Sequence, residues 1–487
     1  MKNHNLILLA DAYKYSHHKL YYPGTSHIYS YLESRGGKFN STVFYGLQYF
    51  LKQYFEGVVI TQEEIEEAKA LMPQVFRRND VFDASKFQFI VDVHGGRLPI
   101  KIKAVKEGSI VPTRNVLLTI ENTDPNCYWL TNFLETILMQ IWYPNTVATL
   151  SFEIRKLLLK YYQQTVSDES FSGIDYVLND FGFRGVSSLE SAGIGGSAHL
   201  LSFDGSDTIA ASLFARKYYG SKEMAGKSIP ASEHSIMTLL GEEGEKEMMQ
   251  HVISSFKDGL VACVSDSYNI FDACAEYWGN DLKEQVINRN GTLVIRPDSG
   301  DPVATLVKVF EILFDKFGYT LNAKGYKVLP SQIRVIQGDG VNYDSIADIL
   351  EALKINGISA ENLVLGMGGA LLQKVDRDTQ KFALKCSYAK INGLDIEVSK
   401  SPKEMDADGN LYESFKKSKA GKLKLIKTQE GYKTVKQNEL PEYEDQLVTV
   451  FENGKVLVEY QFEALKEKLR AAVVGDEFKG KRIIESK

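Results

Sequence analysis

The stretch Leu293-Val294-Ile295-Arg296-Pro297-Asp298-Ser299-Gly300 decides how this chain folds. Three apolar residues read as a short buried strand, and the run then breaks into charge, proline and glycine. Pro302–Phe317 follows with a helical apolar period. The same texture recurs on either side. Leu260–Val264 ends in Ser265-Asp266-Ser267. Ile333–Ile336 ends in Gln337-Gly338-Asp339-Gly340, before a helical Ser345–Lys354. Leu363–Leu365 ends in Gly366-Met367-Gly368-Gly369, with a helix expected next. Positions 266, 298, 339 and 366 lie 32, 41 and 27 residues apart, about one strand-helix unit each, so the strands are expected to be parallel. Such folds carry their chemistry at the C-terminal ends of the strands. Asp and Gly at one such end can merely stop a strand and cap a helix. Four ends of one texture favour a site.

Working outward, 487 residues are too many for one simple core, so two domains are expected. Residues 171–380 read as an α/β barrel catalytic domain. Residues 1–170 and 381–487 read as a discontinuous, β-rich α+β domain. In the first part Leu6–Ala10 reads as a short strand, Val43–Phe55 and Cys127–Trp142 as apolar helices, and Leu98–Val105 and Val116–Glu121 as strands. Thr61 with Glu64 is a capping-box pattern opening a helix over Gln62–Met72, and Ser151–Gln164 is an amphipathic helix. In the last part the expected strands are Phe382–Tyr388, Leu394–Val398, Lys422–Thr428, Gln446–Glu452 and Lys455–Tyr460. A charged helix covers Phe462–Ala472, and Ser401–Lys419 reads as a mobile loop.

Composition narrows the function. Lys and Arg number 57 against 63 Asp and Glu, a net charge of −6, which does not favour nucleic acid as a bulk partner. The four cysteines form no CxxC pair. They read as buried thiols in a reducing compartment, with no zinc site expected. The apolar run near the N-terminus is too short for a signal peptide, no run is long enough to cross a membrane, and a cytoplasmic location is expected.

Three groups of residues carry chemistry. Asp266, Asp298 and Asp339 are carboxylates at strand ends, fit to hold Mg²⁺ or to accept hydrogen bonds from sugar hydroxyls. Gly366-Met367-Gly368-Gly369, with Arg296 on a neighbouring strand end, can admit a phosphate. Asp180-Phe181-Gly182-Phe183-Arg184 offers an aromatic face and a guanidinium. Together they describe a site for a phosphorylated sugar and a flat ring. No Walker loop, dinucleotide fingerprint or nucleophile elbow is present, and Ser191–Gly196 reads as a tightly packed helix instead.

The strings LADAYKYSHHKLYYPGTS, VFYGLQYFL, CYWLTNFLETIL, DFGFRGVSS, SIPASEHS, VSDSYNI, VIRPDSGDP, RVIQGDGV and GGALLQKVDRD resemble the nicotinamide phosphoribosyltransferases, in family order and along nearly the whole chain. The resemblance implies a type II phosphoribosyltransferase fold: an irregular α/β barrel plus an antiparallel β-rich domain. It implies a cytoplasmic homodimer with shared active sites, working in NAD salvage with nicotinamide, phosphoribosyl pyrophosphate, Mg²⁺ and ATP. By the same resemblance Phe181 stacks on the nicotinamide ring, Tyr13 of the partner subunit closes over it, and Asp207 reads the amide. From the residues alone Asp207 is as readily a helix cap before Thr208. Arg296 and Arg184 lie around the ring and the phosphoribosyl group. Asp298, Gly338 and Asp339 match the ribose side, Gly368 and Gly369 the 5′-phosphate loop, and Arg35, Arg377, Lys385 and Lys400 the phosphate contacts. Asp266 faces pyrophosphate and Mg²⁺, directly or through water. His234 matches the histidine that is phosphorylated from ATP, and Lys416 and Lys417 a mobile basic loop. One departure is Ala383, where the family has a serine. The rival within this resemblance is a nicotinate phosphoribosyltransferase, which should present a cation or neutral donor where this chain has Asp207. A non-catalytic binding protein and a barrel glycosidase are more distant alternatives.

Overall fold

The computed structural model describes residues 4–168, 170–405, 411–413 and 417–484. It divides into two compact units, Met1–Thr149 with Asp376–Leu465, and Leu150–Val375 with Lys466–Lys487. The sequence reading places its divisions at 170/171 and 380/381. In the structure the long helix Trp142–Thr165 spans one division, and the last helix, which runs on from Phe462 to Ile484, spans another. Lys466 and Arg470 of that helix are fastened to the second unit by ion pairs to Asp204 and Asp175.

The second unit is the barrel. Five parallel strands lie side by side in the order Leu178–Asp180, Leu363–Met367, Ile333–Gln337, Asn290–Arg296 and Asp258–Val264. Isolated parallel bridges complete the ring: Ala262 with Ala231, Lys227 with Gly205, and Ser206 with Asp180. Ala262, Val294 and Ile336, one from each of three strands, form a buried layer inside it, with Phe181, Ile229 and Val364 packed against them. This is the side-chain layering that fills a barrel rather than leaving a pore. The helices over Pro302–Phe317 and Tyr343–Ile355 follow their strands as expected, and Ser191–Gly196 lies within the helix Leu189–Leu200.

The first unit centres on a seven-stranded antiparallel sheet. Its middle strands are Phe382–Ile391, Thr25–Ser34, Val116–Asn122 and Ile100–Ala104. The helix Gln62–Phe76 starts with the capping box read from Thr61 and Glu64.

Several local expectations fail for physical reasons. Leu6–Leu8 is a 3₁₀ turn, because the Asn5 side chain accepts from the Ile7 amide and caps it. The run Val43–Phe55 starts as a strand, Ser41–Phe44. Gly46, at φ +101°, turns the chain before the helical residues begin at Leu47. Cys127–Trp142 is broken into short helical turns. Lys455–Tyr460 pairs over two residues alone. Within Ser401–Lys419, Lys403–Met405 pairs with Leu411–Glu413; Lys416 lies outside the described residues.

Candidate active site

A cleft of about 910 Å³ opens at the C-terminal ends of the barrel strands. Among the residues singled out from the sequence, it brings together Phe181, Arg184, Asp207, His234, Arg296, Asp298, Gly338, Asp339 and Gly368. These come from distant points in the chain. The parallel strands bring them to one place.

Phe181 forms the floor. Its ring lies so close to the strand Leu363–Met367 that a Cβ on Gly366 would sit 2.1 Å from Cε2. A side chain at position 366 would therefore collide with the ring where it lies. Above the ring is the Arg296 guanidinium, 5.3 Å from the centroid. Arg296 also grips Asp298 through both oxygens, at 2.9 and 3.0 Å. Gly338 makes room for this pair, since a Cβ there would meet Asp298 Oδ1 at 2.8 Å.

Asp266 holds the next part in place. Its side chain is 3% exposed, and its Oδ1 lies 3.2 Å from His234 Nε2. Its Oδ2 accepts from the Asp298 amide at 2.8 Å and the Ser299 hydroxyl at 2.6 Å. One carboxylate thus orients the histidine and the Asp298 loop together. Behind it sits Glu245, a residue the sequence reading missed. Burial, then Asp266 and Glu242, push its carboxyl up to about 7.

The opposite end is built differently. Asp207 is exposed, and its Oδ1 accepts from the Ser228 hydroxyl. It is not a helix cap: Thr208 takes that position on the helix Ile209–Tyr219. The Asp207 amide donates to the Asp180 carbonyl at 3.0 Å, which ties Asp207 to the strand end. Asp180 itself is fully buried, and its carboxyl is pushed up to about 6, chiefly by burial. No signal in the sequence separates its environment from that of the other strand-end aspartates.

The helix expected after the glycine loop is short. Gly368 precedes a single helical turn, Gly369–Leu372. A Cβ on Gly369 would meet nothing within 4 Å, so that residue is open to an approaching group.

The remaining predicted residues lie in the first unit. Tyr13 is 58% exposed, its ring edge-on to His17. Arg35 is nearly buried. Its Nε donates to Glu33 at 2.9 Å, while its Nη2 has no hydrogen-bond partner. Lys385, paired in register with Tyr31, is held below the usual lysine range, first by burial and then by Arg35, Lys400 and Arg377 against the opposing Glu135. Three of the four cations expected to bind phosphates therefore act on the fourth, Lys385. Ala383 lies opposite Glu33 on the same strand pair.

His94, Asp124 and Cys127 also approach one another within 4.8 Å. His94 and Asp124 are already hydrogen-bonded at 3.0 Å, and burial pushes the Cys127 thiol up to about 12. His94 and Asp124 satisfy each other as they stand. All four cysteines are free. Among the described residues no helix is long and apolar enough to cross a membrane.

Residues 176–454 match the model of the nicotinate phosphoribosyltransferase (NAPRTase) family, and residues 5–102 match that of the nicotinamide phosphoribosyltransferase N-terminal domain. A nicotinamide phosphoribosyltransferase of Xanthomonas campestris pv. campestris is 45% identical over 96% of this chain and 98% of its own length. One of Acinetobacter baylyi is 32% identical over 94% and 96%. Among solved structures, nicotinate-nucleotide pyrophosphorylase from Pyrococcus furiosus superposes with a TM-score of 0.57 at 14% identity, covering 96% of both chains. Human nicotinic acid phosphoribosyltransferase gives 0.55 at 15%, covering 96% of this chain and 94% of its own. Those two likenesses speak to the fold alone.

Proposed function

The chain belongs to the nicotinate phosphoribosyltransferase family, and we propose that it joins nicotinamide to phosphoribosyl pyrophosphate, forming nicotinamide mononucleotide and pyrophosphate. It is a pentosyltransferase. The choice of nicotinamide over nicotinate rests on Asp207. Its side chain makes no ion pair among the described residues, and its recorded partner is the Ser228 hydroxyl. A carboxylate in this position accepts from an amide NH₂ and repels a substrate carboxylate. Apposed like charges at a recognition site cost several kcal/mol.

The chemistry asks little of acid–base groups. The pyridine nitrogen carries a lone pair and no proton, so it attacks the anomeric carbon directly. The C–N bond forms as the C–O bond to pyrophosphate breaks, and positive charge gathers on the ribose. Phe181 offers its face to the ring, and Arg296, whose guanidinium already lies 5.3 Å from the Phe181 centroid, borders it. Asp298 and Asp339 accept from ribose hydroxyls and face the developing charge, while the Gly368-Gly369 turn receives the 5′-phosphate. Catalysis is then positioning and electrostatics.

Mg²⁺ is assigned to the pyrophosphate side. Both Asp266 oxygens are engaged by His234, the Asp298 amide and Ser299, so this residue fits contact through water better than direct ligation. A phosphate-borne Mg²⁺ keeps several waters and needs few protein ligands. When bound, it neutralises the leaving pyrophosphate. His234, exposed and oriented by Asp266, is assigned as the group phosphorylated from ATP, which would add negative charge beside the pyrophosphate. A second copy of the chain is assigned to supply Tyr13, which is exposed, together with part of the basic set of Arg35, Arg377, Lys385 and Lys400. The four free cysteines favour a reducing cytoplasm for this salvage step.

The test is product formation by the purified full chain with Mg²⁺, phosphoribosyl pyrophosphate and either nicotinamide or nicotinate, with and without ATP. Nicotinamide mononucleotide should dominate, with ATP raising its yield. Preferential formation of nicotinate mononucleotide would overturn the reading.

A further inference from the structure

Asp180 stands at the end of the strand Leu178–Asp180, directly before the ring-stacking Phe181. It is completely buried. Its Oδ1 accepts the Gly182 amide at 2.7 Å, and its Oδ2 meets no hydrogen-bond partner. The hydroxyls of Thr208 and Ser206 lie near enough to favour the ionised form, and the charged group acting on it is Asp207. Gly196, on the helix packed against it, presents no side chain, and a Cβ there would come within 3.1 Å of Oδ2. No cation pairs with Asp180 among the described residues.

A buried anion without a counter-ion is costly. The turn at Gly182 does not require it, because the oxygen of an asparagine would accept the same amide at no such cost. What aspartate adds over asparagine is charge, at the strand end whose carbonyl accepts the Asp207 amide. The carboxyl, raised to about 6, keeps that charge at neutral pH.

We propose that Asp180 is a second specificity-determining carboxylate, which reinforces Asp207 from the buried strand end in rejecting a ring substituent that carries negative charge. The proposal rests on the amide-reading role given to Asp207. Two neighbouring carboxylates, one of them buried, make the amide end more negative than one exposed aspartate can in water. A neutral amide tolerates this field and a carboxylate does not.

The experiment compares kcat/KM for nicotinamide and for nicotinate in the wild type, Asp180→Asn and Asp207→Asn, from pH 5.5 to 7.5. In the ratio, ionisations that affect both substrates alike cancel. Asp180→Asn should lower the preference for nicotinamide about five- to ten-fold at pH 7.5, through a lower KM for nicotinate. The wild-type preference should decline as pH falls through about 6, and Asp180→Asn should flatten that decline. If Asp207→Asn reduces the preference while Asp180→Asn leaves it unmoved, Asp180 only shapes the turn and the inference is overturned. If Asp207→Asn itself leaves the preference intact, the parent reading of Asp207 fails instead. Should Asp180→Asn fail to fold, the wild-type profile still decides: a ratio independent of pH over this range contradicts the proposal.

Discussion

The two ends of the barrel-mouth cleft treat their carboxylates in opposite ways. On the side assigned to ribose and pyrophosphate two acids are held in place. Asp298 is held by Arg296, and Asp266 by His234, the Asp298 amide and Ser299. On the amide side Asp207 has a hydroxyl and Asp180 a single backbone amide. Paired acids are fixed in place and present shape. The exposed Asp207 leaves the incoming ligand to supply the donor, and the buried Asp180 adds only charge. The contrast assigns positioning to one end and selection to the other.

The largest effect should come from breaking the paired end. Arg296→Ala removes the guanidinium over Phe181 and leaves Asp298 without its fork. We expect kcat/KM to fall by about 100-fold or more, since misplaced groups cost that much. Arg296→Lys should rescue it poorly, because an ammonium cannot make the bidentate contact. Steady-state kinetics with both substrates checks this.

A smaller effect is expected in the first unit. Lys385→Ala removes the cation on which Arg35, Lys400 and Arg377 act. The KM for phosphoribosyl pyrophosphate should rise about ten-fold, the scale of one charge-assisted contact. The KM for nicotinamide should move far less. An equal rise in both would detach this cluster from phosphate binding.

The smallest effect concerns stability. A carboxyl raised on folding stabilises the fold fully below its unfolded value near 3.8, and that contribution is lost as pH rises through about 6. At pH 7.5 Asp180 therefore costs about 3 kcal/mol relative to a neutral side chain. Asp180→Asn should raise Tm at pH 7.5 by about 2–4 °C, and the gain should shrink toward pH 4. Thermal melts at the two pH values read it directly.

Much of this contrast could not be read from the chain. The barrel was legible because strand and helix periods alternate and each strand ends in Asp or Gly. Its closure was not, because it relies on isolated bridges at Ser206, Lys227 and Ala231 rather than on apolar runs. The paired acids were legible as strand-end residues, although their partners, Ser299 above all, are contacts made by a turn. Asp180 and Asp298 look alike as sequence, and their difference is burial and the nearness of one arginine. Glu245 is a helix-start glutamate by pattern and a buried acid by packing. The Phe181 shelf depends on Gly366, whose missing side chain is visible in the sequence while the ring that needs the space is not.

The central claim is that a carboxylate at the amide end chooses the substrate. Its most direct test is the ratio of kcat/KM for nicotinamide over nicotinate in the wild type and in Asp207→Asn, measured at pH 7.5 with saturating phosphoribosyl pyrophosphate and Mg²⁺. The account predicts strong preference for nicotinamide in the wild type and a loss of about ten-fold or more in the variant. A ratio that Asp207→Asn leaves unchanged would contradict it.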